Sequence, residues 1–163
     1  MAVDMFIKIG DIKGESTDST HGDSIDVINW NWGMSQSGTT HTGTGSGAGK
    51  VAVHDLTFTK HVDVSTPTLL QACAAGKHFP TGTFTVRKAG DKPLEYFKIT
   101  FHDLIVSNIA HGGTGSDDRQ TETVTINFGQ FEVAYTSQTK TGGAGPTVPM
   151  SWNIPGNTDK IKK

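Results

Sequence analysis

Apolar and polar residues alternate in several short segments of the chain, as they do along half-buried β-strands. The pattern predicts strands over residues 3–9, 25–34, 51–60, 83–88, 95–106, 119–135 and 148–154. In the two longest segments the apolar positions switch between odd and even residue numbers. This change of parity predicts β-bulges near residues 102–103 and 129–130. Seven or eight strands of this kind predict a small barrel or a sandwich.

One segment, residues 66–76, has helical rather than strand periodicity. Thr66 suits the N-cap, Pro67 the first helical position and Gly76 the left-handed position after the last turn. The apolar residues at helical spacing, which predict its buried stripe, are Leu69, Leu70, Cys73 and Ala74. A helix this short must be held by packing rather than by intrinsic propensity.

Composition agrees with a β-rich fold. The chain has 20 glycines in 163 residues and only 18% charged residues, which favours strands joined by many turns. The sequence therefore predicts an all-β fold: a small β-barrel with one short α-helix and a long extended loop. We expect residues 1–163 to form a single domain, without a further toxin domain after the last strand.

Charge and hydropathy exclude several classes of partner. The formal net charge is −2 and the basic residues are scattered, so no nucleic-acid surface is predicted. No apolar run reaches 18 residues, so no membrane span is predicted. The first residues lack the pattern of a signal peptide, so we expect synthesis in the cytoplasm and any export by another route. A single cysteine excludes an internal disulfide.

Residues 35–50 form the most unusual segment, because twelve of these sixteen residues are Gly, Ser or Thr. They lie between two predicted strands that a hairpin of two to five residues could join. A loop of this length is typically functional or disordered. It ends in Gly49 and Lys50 but lacks the spacing of a phosphate-binding P-loop, because Val51 follows the lysine and Thr44 stands where the first glycine belongs.

Two predicted strands carry polar faces without lysine or glutamate. Asn29 and Asn31 alternate with tryptophans, and Thr121, Thr123 and Thr125 alternate with apolar residues. Solvent-facing strands normally carry charged residues. Two interpretations remain open from composition: these faces line a wet surface that binds weakly, or threonine is present because it suits strands.

No motif indicates catalysis or metal binding. Cys73 lies on the predicted apolar stripe, where a lone thiol usually serves packing. The pairs 54–55 and 102–103 join a histidine to an aspartate, but adjacent strand residues point to opposite faces. The sequence has neither a nucleophile elbow nor zinc-ligand spacing. We therefore predict no enzyme activity, no catalytic residue, no cofactor and no metal. Trp30 and Trp32 share a face with Ile28 and are interpreted as core residues.

The whole chain resembles the haemolysin-coregulated protein (Hcp) family of the bacterial type VI secretion system. The resemblance follows the sequence in order without large gaps. It is carried by MFIKIGDIKGES, a following His21, IDVINWNWG, KVAVHDLTFTKHVDVSTPTLLQACAAGKH, TVRKAG, DRQTETVTINF and SWNI.

This resemblance implies a β-barrel subunit that closes into a homohexameric ring. Rings of the family stack into a tube similar to a phage tail tube, which a contractile sheath propels behind a spike of the valine-glycine-repeat family. Family members are also secreted, which fits the absence of a signal peptide, and effector proteins can occupy the lumen.

The resemblance also assigns two sets of residues. The family's long loop makes contacts between stacked rings, and by position the ring-stacking loop here comprises Gln36, Ser37, Gly38, Thr39, Thr40, His41, Thr42, Gly43, Thr44, Gly45, Ser46, Gly47 and Ala48. A polar, weakly charged wall suits a channel through which cargo passes, so the expected lumen-facing residues are Asn29, Asn31, Thr121, Thr123 and Thr125.

Two alternatives differ in class from a tube subunit. One is a monomeric β-sandwich binding module that uses Trp30, Trp32 and the long loop. The other is a small hydrolase that uses Cys73 or a histidine. A ring with about six times the mass of the chain separates the first interpretation from both alternatives.

Overall fold

The computed structural model of the protein describes residues 2–38, 41, 47 and 49–163. In chain order its elements are β1 (Val3–Ile9), β2 (Ile25–Asp26), β3 (Asn29–Asn31), β4 (Met34–Ser35), β5 (Ala52–Val53), β6 (Leu56–His61), α1 (Ser65–Ala75), β7 (Phe79–Lys88), β8 (Leu94–Gly112), β9 (Thr121–Gln138) and β10 (Ala144–Asn153). No helix in the described part of the chain is long and apolar enough to cross a membrane.

The strands form one antiparallel sheet in the order β2-β1-β7-β8-β9-β6-β3. Strand β10 pairs with the second half of β9, and β4 pairs with β5 in a separate two-stranded ribbon. The sheet curls into a half-barrel with one short helix, which confirms the predicted all-β class.

The predicted strand over residues 25–34 is wrong as a continuous element, since the structure divides it into β2, β3 and β4. β2 pairs with β1, whereas β3 pairs with β6, so the backbone changes partner at Val27 and Ile28. The segment 51–60 is likewise divided into β5 and β6, with His54 and Asp55 between them. A change of partner depends on distant strands and leaves the local alternation intact.

The two bulges predicted near residues 102–103 and 129–130 are wrong. His102 pairs with Gln130 and Leu104 with Phe128, so one residue on each strand, Asp103 and Gly129, lies between these pairs and the register is unchanged. Asp103 has a φ of 53°, in the left-handed region that non-glycine residues seldom occupy. The register shift of the β8–β9 ladder lies instead between Val106 and Asn108.

The core lies on the concave face of the curled sheet. Trp30 stacks on Phe97 with ring centroids 5.7 Å apart, and Trp32 packs edge-on against Phe131 at 5.1 Å. The indole Nε1–H of Trp32 donates to the His54 carbonyl at 2.8 Å. The interpretation of both tryptophans as core residues is confirmed in part: both are half-buried and pack against the core, whereas Ile28 is exposed. Aromatic pairs of this kind stabilise a core beyond the area that they bury.

Helix α1 is confirmed, but its predicted cap and stripe are partly wrong. Gly76 adopts the left-handed conformation after the last turn, as predicted. Thr66 is not the N-cap: Val64 holds that position, and the Asp63 carboxylate accepts the Ser65 backbone N–H at 2.8 Å. The helix residues that are buried are Ser65, Thr66, Leu69 and Ala72, whereas Leu70 and Ala74 are exposed and Cys73 is half-buried.

A buried ion cluster holds the start of α1 on the sheet. The Lys60 ammonium pairs with the Glu122 carboxylate and lies 3.0 Å from Asp63. The Thr66 hydroxyl donates to the same Glu122 oxygen at 2.7 Å, and His111 Nε2 lies 2.6 Å from the other oxygen. The side chains of Lys60 and Glu122 are fully buried, so each charge depends on its partners in the cluster.

A second ion cluster fixes the segment between β1 and β2 on the convex face of the sheet. The Arg87 guanidinium donates to both oxygens of Asp18, at 3.0 and 2.5 Å, and to Asp4 at 3.0 Å. The hydrogen bond from Arg87, with backbone N–H donors from His21 and Thr20, holds the pKa of the Asp18 carboxyl well below its ordinary value. Asp18 in turn raises the pKa of Arg87.

Strand β10 is a free edge among the described strands, since it pairs with β9 alone. It contains Pro146 and Pro149, of which Pro149 lies opposite Ala134 of β9. Proline has no backbone N–H and is confined within sheets to edges and bulges.

Candidate functional site

The polar residues predicted to face a channel lie together on one face of the sheet. In the register, β3 lies beside β6, β6 beside β9, and β9 beside β8. One row across these strands consists of Asn31, Thr57, Thr125 and Asn108, and the next consists of Asn29, Thr59, Thr123 and Ala110. Directly opposed residues in an antiparallel ladder share a face, so all eight side chains point away from the core.

We call this face the polar wall and define it by the two rows together with Asp55, Asn127 and Thr121. Asn29, Asn31, Asn108 and Asn127 are exposed, whereas the wall threonines are half-buried. The Thr57 and Thr125 hydroxyls lie 3.1 Å apart and bond each other. The wall thus presents amides and mutually satisfied hydroxyls, a surface that is wetted by water and offers few strong contacts.

Asp55 is the one wall residue with a full charge at neutral pH. The Asn127 amide donates to one carboxylate oxygen at 2.8 Å. The Ser107 hydroxyl lies 3.3 Å from the other oxygen and 3.2 Å from the Thr125 carbonyl, and these two acceptors share its single proton. Both donors are neutral, so they orient the carboxylate without compensating its charge. Asp55 also borders a cleft of about 310 Å³ whose lining includes Val53, Ile105 and Phe128.

The structure brings all five predicted lumen residues onto this wall and adds residues that the prediction did not include. Thr57 and Thr59 alternate with the buried Leu56 and Phe58, so ordinary strand alternation was sufficient to find them. Asn108 could not be found in this way. A register irregularity between Val106 and Asn108 turns it to the wall, whereas simple parity places it on the core face.

The predicted stacking loop begins at the β4–β5 ribbon. Residues 36–38, 41 and 47 of this loop are described and all are exposed. The remaining loop residues of the prediction lie outside the described residues: Thr39, Thr40, Thr42, Gly43, Thr44, Gly45, Ser46 and Ala48. At the base of the loop, a Cβ on Gly49 would come 2.3 Å from the Ser37 hydroxyl oxygen, so the two ends of the loop approach closely.

The histidine–aspartate pairs of the sequence do not bond each other. His102 Nε2 contacts Glu132 at 2.7 Å, and Asp103 contacts His78 Nδ1 at 3.1 Å. Cys73 is half-buried on α1. Among the described residues, no group of three or more His, Cys, Asp or Glu side chains is placed to hold a metal ion.

Comparison with known proteins agrees with this geometry. A family model described as type VI secretion system effector, Hcp, matches residues 6–135. Protein hcp1 of Pseudomonas aeruginosa is 58% identical over 156 residues, which cover 94% of this chain and 96% of that protein.

Solved structures are similar over nearly the whole chain. One described as a type six secretion system protein has a TM-score of 0.92 at 30% identity, covering 98% of this chain and 100% of its own. Hcp1 from Salmonella typhimurium has a TM-score of 0.80 at 33% identity, with the same coverage of 98% and 100%. A type VI secretion system effector from Yersinia pestis has a TM-score of 0.75 at 32% identity, covering 93% of this chain and 100% of its own.

Proposed function

Since this chain belongs to the Hcp family of type VI secretion proteins, we propose that it is the structural subunit of a secretion tube. Six copies form a ring, rings stack into the tube, and the lumen carries effector proteins. The sheath drives the tube outward behind a spike of the valine-glycine-repeat family, and the protein leaves the cell through the type VI system. The subunit has no catalytic role in this proposal.

The observation that carries the proposal is the polar wall. Lysine and glutamate dominate ordinary solvent faces, yet the eight residues of the two wall rows are Asn, Thr and Ala. A channel must let a folded cargo pass, and strong charge–charge contacts would hold the cargo in place. A face of short, uncharged side chains meets that requirement when six copies surround a lumen.

The loop supports a second part of the proposal, in which residues 36–48 contact the next ring of the stack. The loop starts at a ribbon of only two residue pairs, and its described residues are exposed. Ordering a Gly-rich segment costs roughly 1–2 kcal/mol per residue in backbone entropy. That cost keeps stacking reversible until the sheath and spike assemble around the tube.

The monomeric binding module loses its aromatic platform in this structure. Trp30 stacks on Phe97 and contacts Phe84 at 4.7 Å, while Trp32 packs on Phe131. Rings that pack into the core do not present a flat face to a ligand.

Sedimentation of the purified protein tests the ring and the loop together. We expect a species of about six times 17.4 kDa that appears as an annulus under negative stain. Deletion of residues 39–47 should leave this ring intact and reduce the amount of stacked tube. A monomer at every concentration overturns the ring, and a deletion variant that cannot form single rings overturns the stacking assignment.

A further inference from the structure

We propose that Asp55 makes the polar wall selective for basic cargo, meaning a cargo protein that presents a lysine- or arginine-bearing segment. This inference rests on the proposed ring, because it requires the wall to face a lumen. It goes further by assigning a charge preference, and a residue that creates it, to a surface that is otherwise uncharged.

The first argument is that the charge of Asp55 has no counterion. Its hydrogen-bond donors are the Asn127 amide and the Ser107 hydroxyl. The other carboxylate beside the cleft, Asp103, contacts the His78 imidazole. No lysine or arginine belongs to the wall or lines the cleft among the described residues. The field of Asp55 is therefore available to a cation that approaches the wall.

The second argument is that the carboxylate is held in place. The Asn127 amide on β9 fixes one oxygen at 2.8 Å, and the Ser107 hydroxyl on β8, which also lies 3.2 Å from the Thr125 carbonyl, is 3.3 Å from the other. An oriented carboxylate loses less side-chain entropy on binding a cation than a mobile surface carboxylate does. Six copies in a ring would repeat this group six times at one level of the lumen, within reach of a single cargo.

The third argument is the shape beside it. The cleft of about 310 Å³ combines the carboxylate with apolar lining from Val53, Ile105 and Phe128. Lysine and arginine carry an aliphatic stem below a cationic head. Such a side chain can lay its stem on the apolar lining while its head meets Asp55, whereas the carboxylate of a glutamate side chain would be repelled by Asp55 and Asp103.

Fluorescein-labelled octalysine and octaglutamate serve as probes for binding to assembled rings, measured by fluorescence anisotropy. Wild-type rings should bind octalysine roughly tenfold or more tightly than octaglutamate at about 50 mM salt, and the difference should shrink at higher salt. Asp55→Asn should weaken octalysine binding roughly fivefold or more, because several copies contact one probe. Asp55→Lys should reverse the preference.

Asp91→Asn is the matched control, since Asp91 is an exposed aspartate on the turn between β7 and β8, away from the wall. It should leave octalysine binding unchanged. Sedimentation of every variant shows whether rings form, so ring formation and the charge preference of Asp55 are tested separately. Wild-type protein without rings overturns the proposed function and this inference with it. Intact rings that bind octalysine equally well with Asp55→Asn, or that show no preference for octalysine, overturn this inference alone.

Discussion

The two faces of the β6–β9 ladder differ in where they carry charged side chains. Thr59 lies opposite Thr123 on the polar wall, while the next pair along, Lys60 and Glu122, points to the core side. In most proteins charged pairs lie on the solvent face and neutral residues lie inside. Here the ion pair is buried and fixes α1, whereas the exposed face is almost free of charge. The comparison shows that the charged pair in this ladder stabilises the fold. The lack of charged side chains on the polar wall requires an explanation from function.

The largest expected loss of stability comes from removing the buried ion pair. Lys60→Met leaves Glu122 and Asp63 buried without their ammonium, so the free energy of unfolding should fall by about 3–5 kcal/mol in urea denaturation. The double variant Lys60→Met/Glu122→Leu should recover part of that loss, because the Glu122 charge is removed while Asp63 keeps only its hydrogen bonds from Ser65. Thr59→Val, one residue away on the wall, should change stability by about 0.5 kcal/mol or less. A Lys60→Met loss no larger than that of Thr59→Val would contradict the contrast between the faces.

A smaller effect is expected at the second ion cluster, where charge lies on the convex face but is paired. The pKa of Asp18 is lower in the folded protein than its ordinary value of 3.8, so the folded state holds fewer protons than the unfolded chain. The Arg87–Asp18 contribution is therefore present above pH 3.8 and is lost as the pH falls below it. Thermal midpoints of wild type and Asp18→Asn should differ at neutral pH and converge in acid. Parallel curves down to low pH would show that Asp18 titrates normally.

The smallest effect on stability is expected on the wall itself. Asn31 is exposed at the free side of β3, so Asn31→Glu should change the free energy of unfolding by about 0.5 kcal/mol or less. In assembled rings the added carboxylate should strengthen octalysine binding, since the wall is otherwise neutral there. Asn31→Gln is the matched neutral control. A large drop in the melting temperature with unchanged octalysine binding would place Asn31 in a buried contact instead.

Local patterns predicted much of this fold because alternation and helical spacing are local properties. The parity changes in β8 and β9 revealed the irregularity at Asp103 and Gly129, although it is not a bulge, and Gly76 revealed the end of α1. The N-cap was missed because the Thr66 hydroxyl bonds Glu122, which lies 56 residues away in sequence. No local pattern records such a competing partner.

The polar wall was predicted only in part, because a local pattern does not show which strands are neighbours. Strand alternation shows which threonines share a face, but it does not show that β3, β6, β9 and β8 lie side by side. Asn108 was not predicted because the register shift between Val106 and Asn108 turns it to the wall. Asp55 was not predicted as a site because its proposed role depends on Asn127 and Ser107, which lie on two other strands.

The prolines of β10 have a consequence for how another chain can pair with the sheet. An unpaired strand edge is a template on which another chain can add a strand, and repeated addition leads to fibres. Pro146 and Pro149 remove two backbone donors from that edge. The two prolines therefore weaken β10 as a template for strand addition, while the exposed side chains of Val148 and Met150 remain available for contact with a neighbour.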